Sequence, residues 1–431
     1  MSKTIEVFGV SNSDIKSYIE RESVDLLFLR AIETRKHIIV FGSSKQGKSA
    51  LTNRHLAETE FVRINCAPET TPIDIYRSIL RQLNIKFEIE KSLREETKGG
   101  ISGEVRAKVL IPFFSGDAKV GSELAGTSSE EIKYSTVEYN LELPQDICEI
   151  LIKIGFKKRI ILENFHYLPE EVQKQLAHHL RVFEDNNILF IILGIWREKN
   201  RLAQFNGDLQ DRLIEIPVEP WSKEDFRKII ESGSPLLNVR FDEIFEELVN
   251  LSFDSVGVFQ ELCKEVCLAA GVENTGADKV ILGFDNLRKA KEKKWQDYSG
   301  RHLRSVETFI EQRGGGSADT QLFLPYYFIK FLFVQDFDAM VAGFKRVEIQ
   351  TGIKSFHHRP NDVRPSDMSN FLHNIVASQI KRGIVPPLFD YDKSIRTLKI
   401  IDSTFYFFIR NADLQEIFES FDVPEGIELA H

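Results

Sequence analysis

The run Gly42-Ser-Ser-Lys-Gln-Gly-Lys-Ser49 is the strongest constraint on what this chain can fold into. It follows a continuous apolar stretch, His37 to Phe41, that fits a short buried strand, and it opens a segment of helical spacing from Lys48 to Glu60. The two glycines let backbone N–H groups turn inward while the following helix presents its positive end, so the loop is built to hold phosphates. The G-x-x-x-x-G-K-S spacing assigns ligand contacts to Gly42, Ser43, Ser44, Lys45, Gln46, Gly47, Lys48, Ser49 and Ala50. Within it, Lys48 is expected to reach the β- and γ-phosphates and Ser49 a magnesium ion. ATP and Mg²⁺ are the expected cofactors, since no N-K-x-D run of the guanine-specific kind occurs in the chain.

Around this loop, strand and helix patterns alternate. Helical spacing runs from Asp14 to Thr34. After the loop helix come a strand at Phe61–Asn65, helices from Pro72 to Leu83 and Pro144 to Ile154, a strand at Arg159–Glu163, a helix at Pro169–Phe183 and a strand at Asn187–Leu193. Strands alternating with helices predict an α/β fold with a parallel sheet covered on both faces. Residues 86–143 break the rhythm with charges, glycines and short alternating runs such as 104–110, and are read as a β-rich insertion. From Ser222, which opens a capping-box pattern with Asp225, to about Leu268 the pattern is helical and suits a lid. Gly314 to Ser317 is the best linker composition in the chain. Beyond it, Leu322–Val334, Asp336–Thr351 and Arg364–Arg382 read as helices, followed by two strands at 387–392 and 397–402, the order of a winged helix. The expected division is an ATPase core at 1–220, a lid at 221–297, a linker at 298–320 and a winged-helix-like domain at 321–431.

Phosphoryl transfer needs an acid near the metal, a group to orient the attacking water and a cation for the developing charge. The strand 159–163 ends in Glu163, the expected first acid and magnesium ligand. The next residue is Asn164, where active ATPases commonly keep a glutamate base, so turnover is expected to be slow. Arg212, just before the strand 214–217, is the candidate cation, with a plain surface arginine as the alternative. The His178-His179 and His357-His358 pairs have no further metal-like spacing around them.

Taken in order, the phosphate loop, strand-end acid, distal arginine and helical lid resemble AAA+ and STAND-type ATPases of the origin-recognition-like branch, over roughly residues 10–300. The runs Ser17 to Glu22, Leu162 to Leu168 and Gly194 to Glu198 look like uncharacterised bacterial ATPases of this branch. The resemblance implies that Arg21 and Glu22 lie near the adenine and that Arg212 serves as a finger between subunits. It also implies slow hydrolysis, because Asn164, the Gly194-Ile195-Trp196 run and the Ser255 to Gln260 run depart from the family's catalytic and sensor pattern.

Charge is unevenly placed. Residues 286–412 hold 20 Lys and Arg against 13 Asp and Glu, whereas the rest of the chain holds 36 against 52. Relatives with a carboxy-terminal winged helix often use it on DNA, and Lys345, Arg346, Lys354, Arg359, Arg364, Lys381 and Arg382 flank the predicted helices here. No apolar stretch approaches the roughly 18 residues that span a bilayer, and four scattered cysteines make no disulfide framework, so a cytoplasmic protein with reduced thiols is expected. The expected function is a slowly hydrolysing nucleotide switch that forms homo-oligomers and acts on a nucleic acid or a protein, in anti-phage defence or in mobile-element or DNA maintenance. The alternative is a non-catalytic adaptor that holds ATP and docks an effector protein.

Overall fold

The computed structural model describes residues 1–10, 15–91, 105–113, 133–196, 201–311 and 322–419. Its centre is a five-stranded sheet. Of the chain's first eight strands, β1 (His37–Phe41), β2 (Phe61–Asn65), β6 (Arg159–Glu163), β7 (Phe190–Gly194) and β8 (Leu213–Pro217) form it, in the order β2-β6-β7-β1-β8. Every pairing is parallel, for example Val40 with Leu193, Val40 with Ile216, and Asn65 with Glu163. Strands β1 and β7 are buried along their whole length, as continuous apolar runs between two helical layers must be. Helices Lys48–His55, Pro72–Gln82, Pro144–Lys153 and Glu170–Asp185 supply the crossovers. The expected α/β parallel core is therefore present. All five strands point their C-terminal ends to one edge, where β1 runs into the phosphate loop and β6 ends in Glu163. That edge is where ligands bind in open parallel sheets.

Within 86–143, the remaining three strands, β3 (Lys86–Lys91), β4 (Val105–Phe113) and β5 (Lys133–Asn140), form an antiparallel sheet in the order β3-β4-β5. It joins the main core through Ala107, Val109 and Tyr139.

The helical segment after β8 comprises Lys223–Leu237, Phe245–Ser252 and Val256–Ala269, and the Ser222–Asp225 capping box is formed. Its core includes Val7 and Phe8 from the amino terminus, with Phe8 edge-on to Phe241. One 27-residue helix, Phe284–Ile310, then runs on across residue 298, where the linker was expected to begin. Residues 314–317 lie outside the described residues.

The C-terminal unit is built around an aromatic-rich core that includes Phe309, Phe328 and Phe389. The single helix expected over Asp336–Thr351 is two, Phe337–Ala342 and Arg346–Phe356, separated at Gly343 with φ +84°. A Cβ there would lie 2.6 Å from Leu398 O, so the break also makes room for a strand of the neighbouring hairpin. Phe344–Lys345 pairs with that hairpin (Phe389–Asp392 and Thr397–Ile400) to give three antiparallel strands. The helix expected over Arg364–Arg382 is likewise two, Pro365–His373 and Ile375–Lys381. Ser403–Asn411 buries seven consecutive residues, Ser403 to Ile409, and so is enclosed on every side over that stretch. It divides its aromatic side chains between two cores, Phe407 joining the lid and Phe405 and Phe408 the C-terminal unit. Among the described residues, no helix is long and apolar enough to cross a membrane.

Candidate functional site

The phosphate loop turns sharply because its glycines permit it. Gly42 has φ +154°, and a Cβ there would meet Val218 Cγ2 at 2.7 Å and Glu219 Oε1 at 2.9 Å. Gly47 sits at φ +86° and caps the helix Lys48–His55, so both positions require glycine. The Lys48 ammonium donates to Gly42 O at 3.0 Å and Ser43 O at 2.6 Å. Desolvation pushes its pKa down to about 8, against a smaller opposing pull from Glu219. A cation held here at the cost of desolvation is poised for an anion.

Beside the loop lies a cavity of about 250 Å³, lined by Lys45 to Leu51, Glu163, Asn164 and His166 on the sheet side. Its other walls come from Ile15, Tyr18, Ile19, Arg21, Trp221, Ile229, Val256 and Gly257. The Arg21 guanidinium stacks 3.5 Å above the Trp221 ring and donates to Val218 O at 3.1 Å, in the wall of this cavity. Glu22 faces a neighbouring surface with Ser23, Leu26, Asp225 and Lys228 instead, because the helix that begins there turns it away.

The expected helix from Asp14 also begins only at Glu22. Asp14 itself lies outside the described residues. The apolar residues Ile15, Tyr18 and Ile19 line the cavity rather than a helix face. Ser17 anchors that segment, donating to Val7 O at 2.6 Å and accepting from Gln260 Nε2 at 3.0 Å.

Glu163 reaches the site from the end of β6 and is already engaged: Arg63 Nη1 on β2 donates to its Oε1 at 2.6 Å. Asn164 follows in a left-handed conformation, φ 57°. Where a polar sensor would stand after β7, Trp196 folds back, fully buried, and stacks on Phe41. Its ring would lie 1.5 Å from a Cβ at residue 194, which is why that position is glycine. Arg197 and Glu198 lie outside the described residues.

Arg212 is not brought to this site. It precedes β8 at the opposite edge of the sheet, where its guanidinium donates to Glu184 and, at 2.6 Å, to Asp185. A reach into a phosphate loop from there requires a second copy of the chain.

Three partners of the loop were not visible in the sequence. Glu219 accepts from Ser43 N; Gly257, in the first turn of a lid helix, donates from its N–H to Lys45 O at 2.9 Å; and Ser44 meets residues 401–403 of the C-terminal unit. Only Gly257 left a trace, as a glycine just inside a helix start.

Residues 30–198 match the AAA domain family. The phosphate loop, Glu163 and Trp196 all fall inside the matched residues, whereas Arg21, Trp221, Gly257 and the C-terminal unit lie outside them. No curated protein matches the chain. Among solved structures, the chain is similar to the Walker-type ATPase of Pyrococcus abyssi (15% identity, 91% of this chain and 96% of that one, TM-score 0.48). It is also similar to Cdc6p from Pyrobaculum aerophilum (12%, 92% and 92%, TM-score 0.35). A third is the Aeropyrum pernix Orc1 protein, solved in complex with DNA (12%, 97% and 96%, TM-score 0.44).

Among the described residues, no group of three or more His, Cys, Asp or Glu side chains gathers as a metal cluster. Three of the four paired histidines have other partners: His179 the Tyr76 hydroxyl, His358 that of Tyr327, and His357 the Leu322 carbonyl oxygen. All four cysteines are buried and free. Of the basic residues expected to face DNA, Arg382 instead caps the long helix, donating to Thr308 O, Phe309 O and Glu311 O.

Proposed function

We propose that this protein is an ATP-binding switch that hydrolyses ATP slowly and passes the state of its phosphate loop to the C-terminal unit. The single observation that carries the reading is the convergence, on one cavity, of the loop Lys45 to Ala50, the acid Glu163 and the Arg21–Trp221 stack. Trp221 and Arg21 offer a flat surface of the kind a nucleobase stacks on. The backbone amides of the loop and Lys48 hold the phosphates, and Ser49 with Glu163 would hold Mg²⁺, which neutralises charge on the phosphates when bound. The donor set fits: a hydroxyl and a carboxylate, both oxygen ligands, flank a buried ammonium. Glu163 must share itself with Arg63 to serve, and Asn164 has no carboxylate with which to take a proton from water. Both favour slow turnover.

The switch is proposed to work as a homo-oligomer in the cytoplasm, with Arg212 approaching the site of a neighbouring copy. Residues 321–412 are proposed as the output surface, toward DNA or an effector protein, in defence or in mobile-element maintenance. A second reading, an adaptor in which ATP is a structural ligand, is favoured by Asn164 and by the apolar Trp196 at the sensor position.

ATP turnover by the wild type and Glu163→Gln, with and without duplex and single-stranded DNA, tests both readings while oligomer size is followed in parallel. Turnover that is lost in the variant supports the switch. Bound ATP without turnover supports the adaptor, and no ATP binding at all removes both.

A further inference from the structure

A second cavity, of about 350 Å³, lies between the core and the C-terminal unit. Its core side is made by the turn after β6, from His166 to Glu170, with Gln173 and the short helix Arg201–Phe205. Its other side is made by the helices Pro365–His373 and Ile375–Lys381 and by Asp390 and Tyr391 of the hairpin. Among the described residues, His166 alone lines both this cavity and the nucleotide cavity, so the two are neighbours. The volume falls within the range of small-molecule sites, about 300–1,000 Å³.

Two residues of its wall keep a buried polar atom that no described residue satisfies. Gln173, 3% exposed, donates from Nε2 to Leu168 O at 2.7 Å, which leaves Oε1 as an acceptor without a partner. His166, also 3% exposed, accepts from Ile195 N through Nδ1 at 3.3 Å. Burial, with Lys48 and Arg201 nearby, holds its pKa well below the ordinary value, so the ring is neutral and its proton sits on Nε2. That N–H is a donor without a partner. Buried polar atoms are nearly always paired, so an open donor and an open acceptor in one cavity wall point to a ligand that supplies the complement. An acceptor beside a donor is the hydrogen-bonding edge of a nucleobase.

The charged groups of the lining leave cations to spare. Glu170 is paired with Lys393 at 3.0 Å and with Lys174 at 3.1 Å. Arg201 lies 3.5 Å from Asp390 Oδ2, long for a hydrogen bond, and Lys381 has no acidic partner among the described residues. A phosphate monoester carries close to two negative charges at neutral pH, which this arginine and lysine match. Tyr167 and Phe205 of the core and Tyr391 of the C-terminal unit add aromatic surface of the kind a planar ring packs on. We propose that this cavity is a second ligand site, separate from the phosphate loop, that takes a nucleoside monophosphate, its base against His166 and Gln173 and its phosphate toward Arg201 and Lys381. The site does not depend on ATP binding at the loop.

The test is calorimetric titration of AMP, GMP, CMP and UMP, one at a time, into the full chain saturated with MgADP, so that the loop is filled first. At least one monophosphate is expected to bind, about tenfold tighter than its phosphate-free nucleoside. Arg201→Gln should weaken that binding about tenfold, the scale of a lost hydrogen bond to a charged group. Ala377→Trp, at an exposed position of the lining, should abolish it by filling the cavity. Thermal unfolding checks that both variants keep the fold. No binding of any monophosphate by the MgADP-saturated wild type, or binding that either variant leaves intact, overturns the proposal. Failure of MgADP itself to bind would remove the ATP reading alone, since the two variants still decide this cavity.

Discussion

Arg63 on β2 bridges two parts of the site: one guanidinium nitrogen donates to Glu163 Oε1 and another to Asn53 Oδ1, each at 2.6 Å. Asn53 lies on the loop helix one turn beyond Ser49, so the arginine ties the strand-end acid to the helix that begins at the phosphates. The pair is partly buried, with side chains 22% and 16% exposed, between surface pairs of little value and buried pairs in which loss of one partner costs several kcal/mol. Arg63→Met is expected to lower stability by about 1–2 kcal/mol in urea unfolding. Because Glu163 is then unshared, the variant should need less Mg²⁺ for half-saturation of nucleotide binding, as read by a fluorescent nucleotide. A higher magnesium requirement would show that Arg63 helps rather than competes.

The Trp221 ring lines the cavity beside the loop and carries the Arg21 guanidinium against its face. Trp221→Ala should weaken nucleotide binding by about 1–3 kcal/mol, roughly 5- to 150-fold, the scale of base–aromatic stacking. Equilibrium titration checks this. A loss well under threefold would move the base elsewhere in the cavity.

A side chain at residue 257 has no room. Its Cβ would lie 2.4 Å from Lys45 Cβ and 2.6 Å from Lys45 O, backbone that cannot swing aside. Gly257→Ala is expected to cost about 1–3 kcal/mol in stability and to weaken nucleotide binding, by prising the lid from the loop. Thermal unfolding and titration on the same samples would separate the two effects.

Lys48 gives the stability a pH dependence of definite sign. Its folded pKa is about 8, against 10.5 for an ordinary lysine. Between those values the unfolded chain keeps a proton that the folded chain has released, so this contribution to stability rises with pH through the window. Below about pH 8 both states are protonated and the slope vanishes. Urea unfolding of the nucleotide-free protein between pH 7.5 and about 10.5 should show the rise, and Lys48→Met should remove it while also abolishing nucleotide binding.

Much of the phosphate-loop edge of the sheet was legible because its signals are local. A strand, a glycine loop and a helix occupy consecutive residues, and Glu163 ends a five-residue strand whose middle three residues are apolar. Arg63, Trp221 and Asp402 were not legible, since each reaches the site only through pairing or packing between distant segments. Residues 15–19 misled for a related reason: apolar residues that line a cavity can match the spacing of a helix face. The helices split at Gly343 and Asn374 show the reverse case, where periodicity continues across a break that a neighbouring strand or a tight turn imposes. Arg212 could be found in the sequence, but the guanidinium is held by two acids far from its own loop.

The helix Phe284–Ile310 belongs to two cores at once. Leu287 and Ala290 pack in the lid, while Val306, Phe309 and Ile310 pack beneath the C-terminal strands. At 1.5 Å per residue it is a rod of about 40 Å, so a tilt of about 10° at the lid end would carry the far end through about 7 Å. Lid and C-terminal unit thus share one rigid element, so any tilt of the helix at the lid end would be magnified where it meets the C-terminal strands.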